Sequence, residues 1–410
     1  VSADTFDVYI RPSPLAPTPT PALFSMAAKI GEGVTLLKNS RPLDYELKII
    51  SYRSGRKVKT NELVRKQIAL AILDRRVGAV FEKRVWVREE EIKNYRKTGV
   101  VNLEPSETAE TLNIQPRWWN SFNTLYEIND PNLVVVANKY LLQSKQLTGL
   151  PEKSKNPYTE IIYAPYSGGL HTAELIAAGK QYINDQVEAA FGQLETDKVL
   201  SRSKPPAALS NKAAGGESTN PVTSGISREF IKNIILVEHI DPDAFEVTFD
   251  QGRELTERVL VIIGANHKSA YRYTGSPAGA SGLAQFIKPT YTRIAAQYPR
   301  AKLIKDYTLG MADHVNAVKA MVLFFDSHRA EIENKIQRRD VIRQLGITEE
   351  MLAAAYNGGP SRVIRSVNKF GLAWVGQQFD LPKTKRIFRT ETLGYVKKFR
   401  SVSGLNIFDD

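Results

Sequence analysis

Glu238 closes an apolar run, Ile234-Ile235-Leu236-Val237-Glu238, and Pro242 four residues later forbids a helix from continuing. At the C-terminal end of an apolar helix, the helix dipole and burial both disfavour the charged carboxylate. Its pKa should therefore rise, which suits a group that gives up a proton near neutral pH. A second stretch, Ser276 to Thr290, gathers Gly279, Ala280 and Gly282 ahead of Gln285. Glycines let backbone turn sharply and approach a ligand, and the Gln285 amide can both donate and accept, a combination that fits a polyhydroxylated molecule. A plain small-residue turn leading into a helix is the other reading of this stretch. Two further motifs follow: Tyr356 and Asn357 in Ala354-Ala355-Tyr356-Asn357-Gly358-Gly359, and Tyr395 in Glu391-Thr392-Leu393-Gly394-Tyr395-Val396. The Asn-Gly-Gly run breaks a helix directly after Tyr356 and argues for an exposed rim there, with core packing as its rival.

In their order and rough separation, these three stretches resemble the soluble lytic transglycosylases, lysozyme-like enzymes that cleave peptidoglycan; the resemblance covers residues 227–402. The family works with a single glutamic acid and no metal or cofactor. That acid protonates the leaving oxygen of a β-1,4 bond. It then acts as a base while the muramoyl C6 hydroxyl attacks C1, leaving a 1,6-anhydro end. The resemblance implies substrate binding by Gly279, Gly282, Gln285, Tyr356 and Asn357, with Tyr395 shaping the floor of the site. It also makes Glu391 a helix cap and Asn316 a structural residue.

The chain departs from the family at the acid. Nine residues before Ser276, where the pattern places it, stands His267, and no Asp or Glu lies between Arg258 and Ser276. Glu238 is the candidate in its place. On this alignment, residues from about Asp243 to Tyr273 are an insertion carrying an extra surface helix, and His239 replaces the serine that usually follows the acid. A lysozyme-shaped scaffold that binds cell wall without cutting it is the reading from another class. His239, Asp241 and His314 could be imagined as metal ligands, but their spacing fits no standard site.

The elements that must position these groups are expected to be mainly helical: an all-α lysozyme-like domain over 227–402, preceded by a mostly helical, possibly α+β, accessory domain over 23–200. Helices are predicted over Glu62 to Val77, capped by Thr60 or Asn61, and over Thr172 to Leu194. Further helices are predicted over Arg228 to Val237, around Leu255 to Ile263, over Met311 to Phe325 and Thr348 to Ala355, and from Gly394 onward. The apolar runs Asn132 to Ala137 and Thr159 to Ala164 read equally as strands or buried helix turns. Trp118, Trp119, Phe122 and Tyr126 suggest either a core helix or a sugar-stacking platform. His171 has no evident partner. Residues 1–22 form a proline-rich extended tail, 201–226 a linker or long surface loop, and 403–410 a C-terminal tail.

The absence of cysteine among 410 residues excludes disulfides and thiolate chemistry. A net charge of +12 predicts attraction to something anionic, such as nucleic acid, an acidic membrane surface or a cell-wall polymer. Lys and Arg are scattered and form no stripe, so nucleic acid is not the expected partner. The expected partners are peptidoglycan glycan strands, with a possible cell-envelope protein on residues 23–200. The expected location is outside the cytoplasm, with the leader absent from this chain.

Overall fold

The computed structural model describes residues 24–53, 56–106, 112–143, 158–203, 220–246, 252–273 and 279–409; the proline-rich tail over 1–22 lies outside these. The N-terminal half opens with helix α1, Met26–Asn39, whose first turn is capped by the Ser25 hydroxyl accepting from the Ala28 amide. Then come β1 (Tyr45–Arg53), β2 (Arg56–Asp74), β3 (Ala79–Arg88), α2 (Glu89–Thr98), β4 (Leu103–Pro105), β5 (Ile114–Trp118), β6 (Leu125–Ile128), β7 (Leu133–Gln143) and β8 (Tyr158–Tyr163). Six of the strands form one antiparallel sheet in the order β4-β3-β2-β7-β8, with β1 on β2, and β5 and β6 form a separate hairpin. The 19-residue β2 organises the sheet. One edge pairs with β3, while the other takes β1 along its first half and β7 along its second.

This sheet corrects the mainly α expectation: the protein is mixed, 57% helix and 19% strand. The segment from Glu62 to Val77 is the second half of β2 and the turn after it, not a helix. From Ile68 to Leu73 both faces of β2 are covered, Ile68, Leu70 and Ile72 by one apolar cluster and Ala69, Ala71 and Leu73 by another. Two-sided burial removes the alternation that marks a strand. Ala71 is small where α1 lies close: a Cβ on Gly33 would sit 3.0 Å from its methyl. The two ambiguous apolar runs fall in β7 and β8. Trp119, Phe122 and Tyr126 are buried, but on the β5–β6 hairpin and its turn, where Phe122 sits in a single 3-10 turn, not on an α-helix.

The second half is built of helices: α3 (Ala173–Thr196), α4 (Arg228–His239), α5 (Pro242–Glu246), α6 (Arg253–Asn266), α7 (Lys288–Gln297), α8 (Tyr307–Ala312), α9 (His314–Lys335), α10 (Arg339–Leu345), α11 (Glu349–Gly358), α12 (Pro360–Phe370), α13 (Gly376–Asp380) and α14 (Thr390–Gly404). Thr172, Ser227 and Thr348 cap α3, α4 and α11, each side chain accepting from the amide three residues on, whereas Thr60 and Asn61, expected as caps, lie within β2.

Helix α6 lies inside, where a surface insertion was expected. Val259, Leu260, Val261 and Ile263 are all at most 2% exposed. A Cβ on Gly264 would come within 2.1 Å of the Leu175 carbonyl, and one on Gly179 equally close to the Leu260 carbonyl, so α3 and α6 touch backbone to backbone. Through this contact the sheet and the helices share one apolar core running from Ile68 and Tyr140 to Phe230, Phe325 and Val402. The ends of the 201–226 stretch are also tied together: Leu200 and Pro221 form an antiparallel bridge, flanked by the Ser201 amide on the Asn220 carbonyl and the Val222 amide on the Val199 carbonyl. The chain therefore leaves and re-enters at one point. Among the described residues no helix is long and apolar enough to cross a membrane.

Candidate active site

Glu238 occupies the last turn of α4, whose inner face, from Phe230 to Val237, is buried. Glu238 as a residue is partly exposed, while its carboxyl is desolvated by its surroundings. Burial raises its pKa to about 7, aided by the nearby Glu391 charge and opposed by the Tyr395 hydroxyl and the Lys398 ammonium. At neutral pH the group is thus divided between acid and carboxylate.

Tyr395 and Lys398 both come from α14, three residues apart and so on one face of the helix. The Tyr395 hydroxyl is buried and turned toward Glu238, and no fully formed hydrogen bond holds it among the described residues. Lys398 is buried as well, its ammonium donating to the carbonyls of Val237 at 3.1 Å and Ile240 at 2.9 Å. These are two of the carbonyls that the end of α4 leaves without helical partners. Lys398 thereby caps the helix and places a positive charge beside the acid at its end. The motif reading missed it, although its spacing from Tyr395 was a visible signal.

Tyr356, in the last turns of α11, is within electrostatic reach of the same carboxyl. Its ring packs among Phe286, Phe324, Phe325 and Tyr395, and its hydroxyl donates to the Ala284 carbonyl. Both the rim and the core readings thus hold in part. Asn357 is exposed and accepts from the Thr392 hydroxyl at 2.8 Å, joining α11 to α14. Gly358 allows that approach, since a Cβ there would lie 2.8 Å from the Thr392 methyl.

The turn that carries Gly279, Gly282 and Gln285 reaches the acid through neighbours. Ser276, Pro277 and Ala278 lie outside the described residues. From Ser281 to Phe286 the chain forms a tight loop closed by the Ser281 amide on the Phe286 carbonyl, 3.1 Å, and by the Gln285 side-chain amide on the Gly282 carbonyl, 2.7 Å. Gly279 at φ +80° is exposed, and among the described residues nothing lies within 4 Å of where its Cβ would be. Gly282, at φ +70°, is buried: a Cβ would lie 2.4 Å from the Met311 carbonyl, so its missing side chain is required by the protein itself. Gln285 holds φ +46°, a conformation that side chains other than glycine adopt at a cost and that often marks functional sites. Leu283 and Ala284 connect the loop to the acid's end of α4. The Leu283 carbonyl accepts from His239 Nε2 at 3.0 Å, and the Ala284 carbonyl from Tyr356.

His239 stacks on Tyr271 with ring centroids 3.5 Å apart. Burial pushes its pKa down to about 3, so it is a neutral donor that fixes the loop. His314 is likewise neutral, its pKa near 4 through burial, and bonds the Tyr182 hydroxyl through Nδ1. His171 does have partners: Nδ1 faces the Tyr166 hydroxyl at 3.0 Å, and Nε2 the Glu257 carboxylate at 2.9 Å. Glu257 thus helps join α6 to the segment before α3. Asn316 is buried, its amide bonded to Tyr291 and Gly310 and accepting from the Ile304 amide.

The position where the lytic transglycosylase pattern places the acid is the end of α6. His267 stacks against Tyr182 there, and Asn266 clasps the backbone of Ala164 with both amide atoms, at 2.8 and 2.9 Å. That helix end is a joint to the sheet half. Comparison with known protein families, with characterised proteins and with solved structures finds no match to this chain.

Proposed function

We propose that the protein is a peptidoglycan lytic transglycosylase that cleaves the bond between N-acetylmuramic acid and N-acetylglucosamine, with Glu238 as its acid and base. The observation that carries this reading is a carboxyl with a pKa near 7, on a partly exposed residue and flanked by Tyr395, Tyr356 and Lys398. In the neutral form Glu238 gives its proton to the glycosidic oxygen as the C1–O bond breaks. The carboxylate that results is stabilised by the Lys398 charge and by the Tyr395 hydroxyl. It then takes the proton of the C6 hydroxyl as that oxygen closes on C1, which returns Glu238 to its starting state. The 279–286 loop and the exposed Asn357 are the surfaces available to sugar hydroxyl and N-acetyl groups. This substrate places the enzyme outside the cytoplasm, where the sheet half could meet a cell-envelope partner.

The test is digestion of purified sacculi followed by mass spectrometry. Anhydro-muramoyl ends from the wild type, absent with Glu238→Gln, support the reading, and hydrated ends or equal activity of the variant refute it. A second reading, a cell-wall-binding scaffold without catalysis, is favoured by one observation: the end of α6, where relatives would carry the acid, is spent on holding Ala164. Binding to sacculi with no products from the wild type would select it.

A further inference from the structure

Beside the rim made by Asn357 and Thr392 is a cavity of about 530 Å³ whose wall contains Arg362, Arg365, Lys383, Arg386 and Arg389, with Thr390 at its edge and no carboxylate among its lining residues. Two of these five cations serve the fold. Arg362 donates to the Gly358 carbonyl, and Arg386 donates to the carbonyls of Leu381 at 2.7 Å and Phe379 at 3.2 Å. The other three are exposed and make no hydrogen bond or ion pair among the described residues. Cations gathered without a counter-charge repel one another, and each keeps its hydrogen-bonding capacity for an anion. Helix α14 starts at this wall with no side-chain cap, leaving its first amide groups to add to the same field.

The cavity and the acid share α14. From Thr390 the helix passes Thr392, bonded to Asn357, and reaches Tyr395, beside Glu238. Five residues of helix span about 7.5 Å along the axis. A peptide stem of three or four residues, at about 3.3 Å per extended residue, is longer than that rise. An N-acetylated glycan backbone is uncharged and has no use for five cations, whereas the peptide stems on its muramoyl units end in carboxylates. The planar fork of arginine matches a carboxylate with two parallel bonds.

We propose that this cavity binds the carboxylates of the peptide stem of a glycan strand lying in the cleft. The inference rests on the peptidoglycan reading of the site, and its test is binding alone. Titration calorimetry on the full chain uses three probes: a stem tetrapeptide with free carboxylates, the same peptide with every carboxylate amidated, and inorganic phosphate. The free peptide should bind at least tenfold more tightly than either other probe, and the triple variant R365Q/K383Q/R389Q should lose at least tenfold in its affinity. Because none of the three side chains makes a hydrogen bond or ion pair among the described residues, the variant should keep the wild-type melting temperature, so the loss reports recognition and not unfolding. Equal binding of the amidated peptide, equal binding of phosphate, or unchanged affinity of the variant overturns the proposal. Cleavage of peptide-free strands by the wild type is a separate measurement, and its failure counts against the enzyme reading alone.

Discussion

Tyr356 and Tyr395 stack with ring centroids 6.3 Å apart and planes inclined by 23°, and both hydroxyls lie within electrostatic reach of Glu238. The two rings come from α11 and α14, so the environment of the acid is set by how these helices pack on the end of α4. Tyr395 stabilises the carboxylate and Lys398 assists it, while burial works the other way and wins.

The pH dependence follows. With a pKa near 7, Glu238 loses its proton as pH rises through neutrality, so the rate of bond cleavage should fall above about pH 7 with the slope of one proton. Tyr395→Phe removes a group that favours the charged form, so the alkaline limb should move to higher pH. Rates measured on soluble glycan strands from pH 5 to 9 check this, and a limb that stays put or moves down contradicts the assignment.

Glu238→Gln should lower cleavage by about 10²- to 10⁴-fold, the range typical of a positioned proton donor. It should also stabilise the fold at high pH. A carboxyl raised from 4.5 to about 7 opposes folding by roughly 3 kcal/mol once both folded and unfolded states are ionised. This cost is absent below about pH 4.5, where both states hold the proton, and grows to its full value as pH passes 7. Denaturant unfolding should therefore show Glu238→Gln more stable than wild type at pH 8 and about equal to it at pH 4. Equal stability at both would mean that the carboxyl is not desolvated.

The two glycines of the loop should respond differently to alanine. At Gly279 only the left-handed backbone resists, at about 1–2 kcal/mol, because among the described residues nothing lies within 4 Å of a new methyl. At Gly282 the same strain is joined by a methyl 2.4 Å from the Met311 carbonyl, so the loop must shift. Gly282→Ala should lower stability further than Gly279→Ala in urea unfolding and reduce cleavage as the Leu283 and Ala284 carbonyls move. Similar losses for the pair would remove the packing role given to Gly282.

Gly179→Ala and Gly264→Ala should each destabilise by about 1–3 kcal/mol or more, since each methyl would meet a carbonyl at 2.1 Å across the α3–α6 contact. Because the sheet and the helices share a core, the loss should appear as one earlier transition followed alike by near-ultraviolet and far-ultraviolet signals. Two separated transitions would show that the halves fold independently.

Local chemistry carried much of the helical half into view before any coordinates. Apolar spacing marked the helices over 172–194, 228–237 and 348–355, Pro242 ended the run after Glu238, and the Asn-Gly-Gly break put Asn357 on the surface. Such signals need only neighbours a few residues away. The sheet was hidden because β2 from Ile68 to Leu73 is covered on both faces and has no alternation to read, and α6 was misplaced because its apolar stripe says nothing about which elements surround it.

By itself the sequence determined an apolar helix ending in a carboxyl, a glycine-rich turn, and tyrosines on two later helices. Only the tertiary structure decided that this carboxyl is buried, which raises its pKa, and that Tyr395 and Lys398, some 160 positions further along the chain, stand beside it and oppose that rise. The physical reason is that desolvation and charge act through space. They depend on which side chains packing brings within a few ångströms, and residue order does not record that.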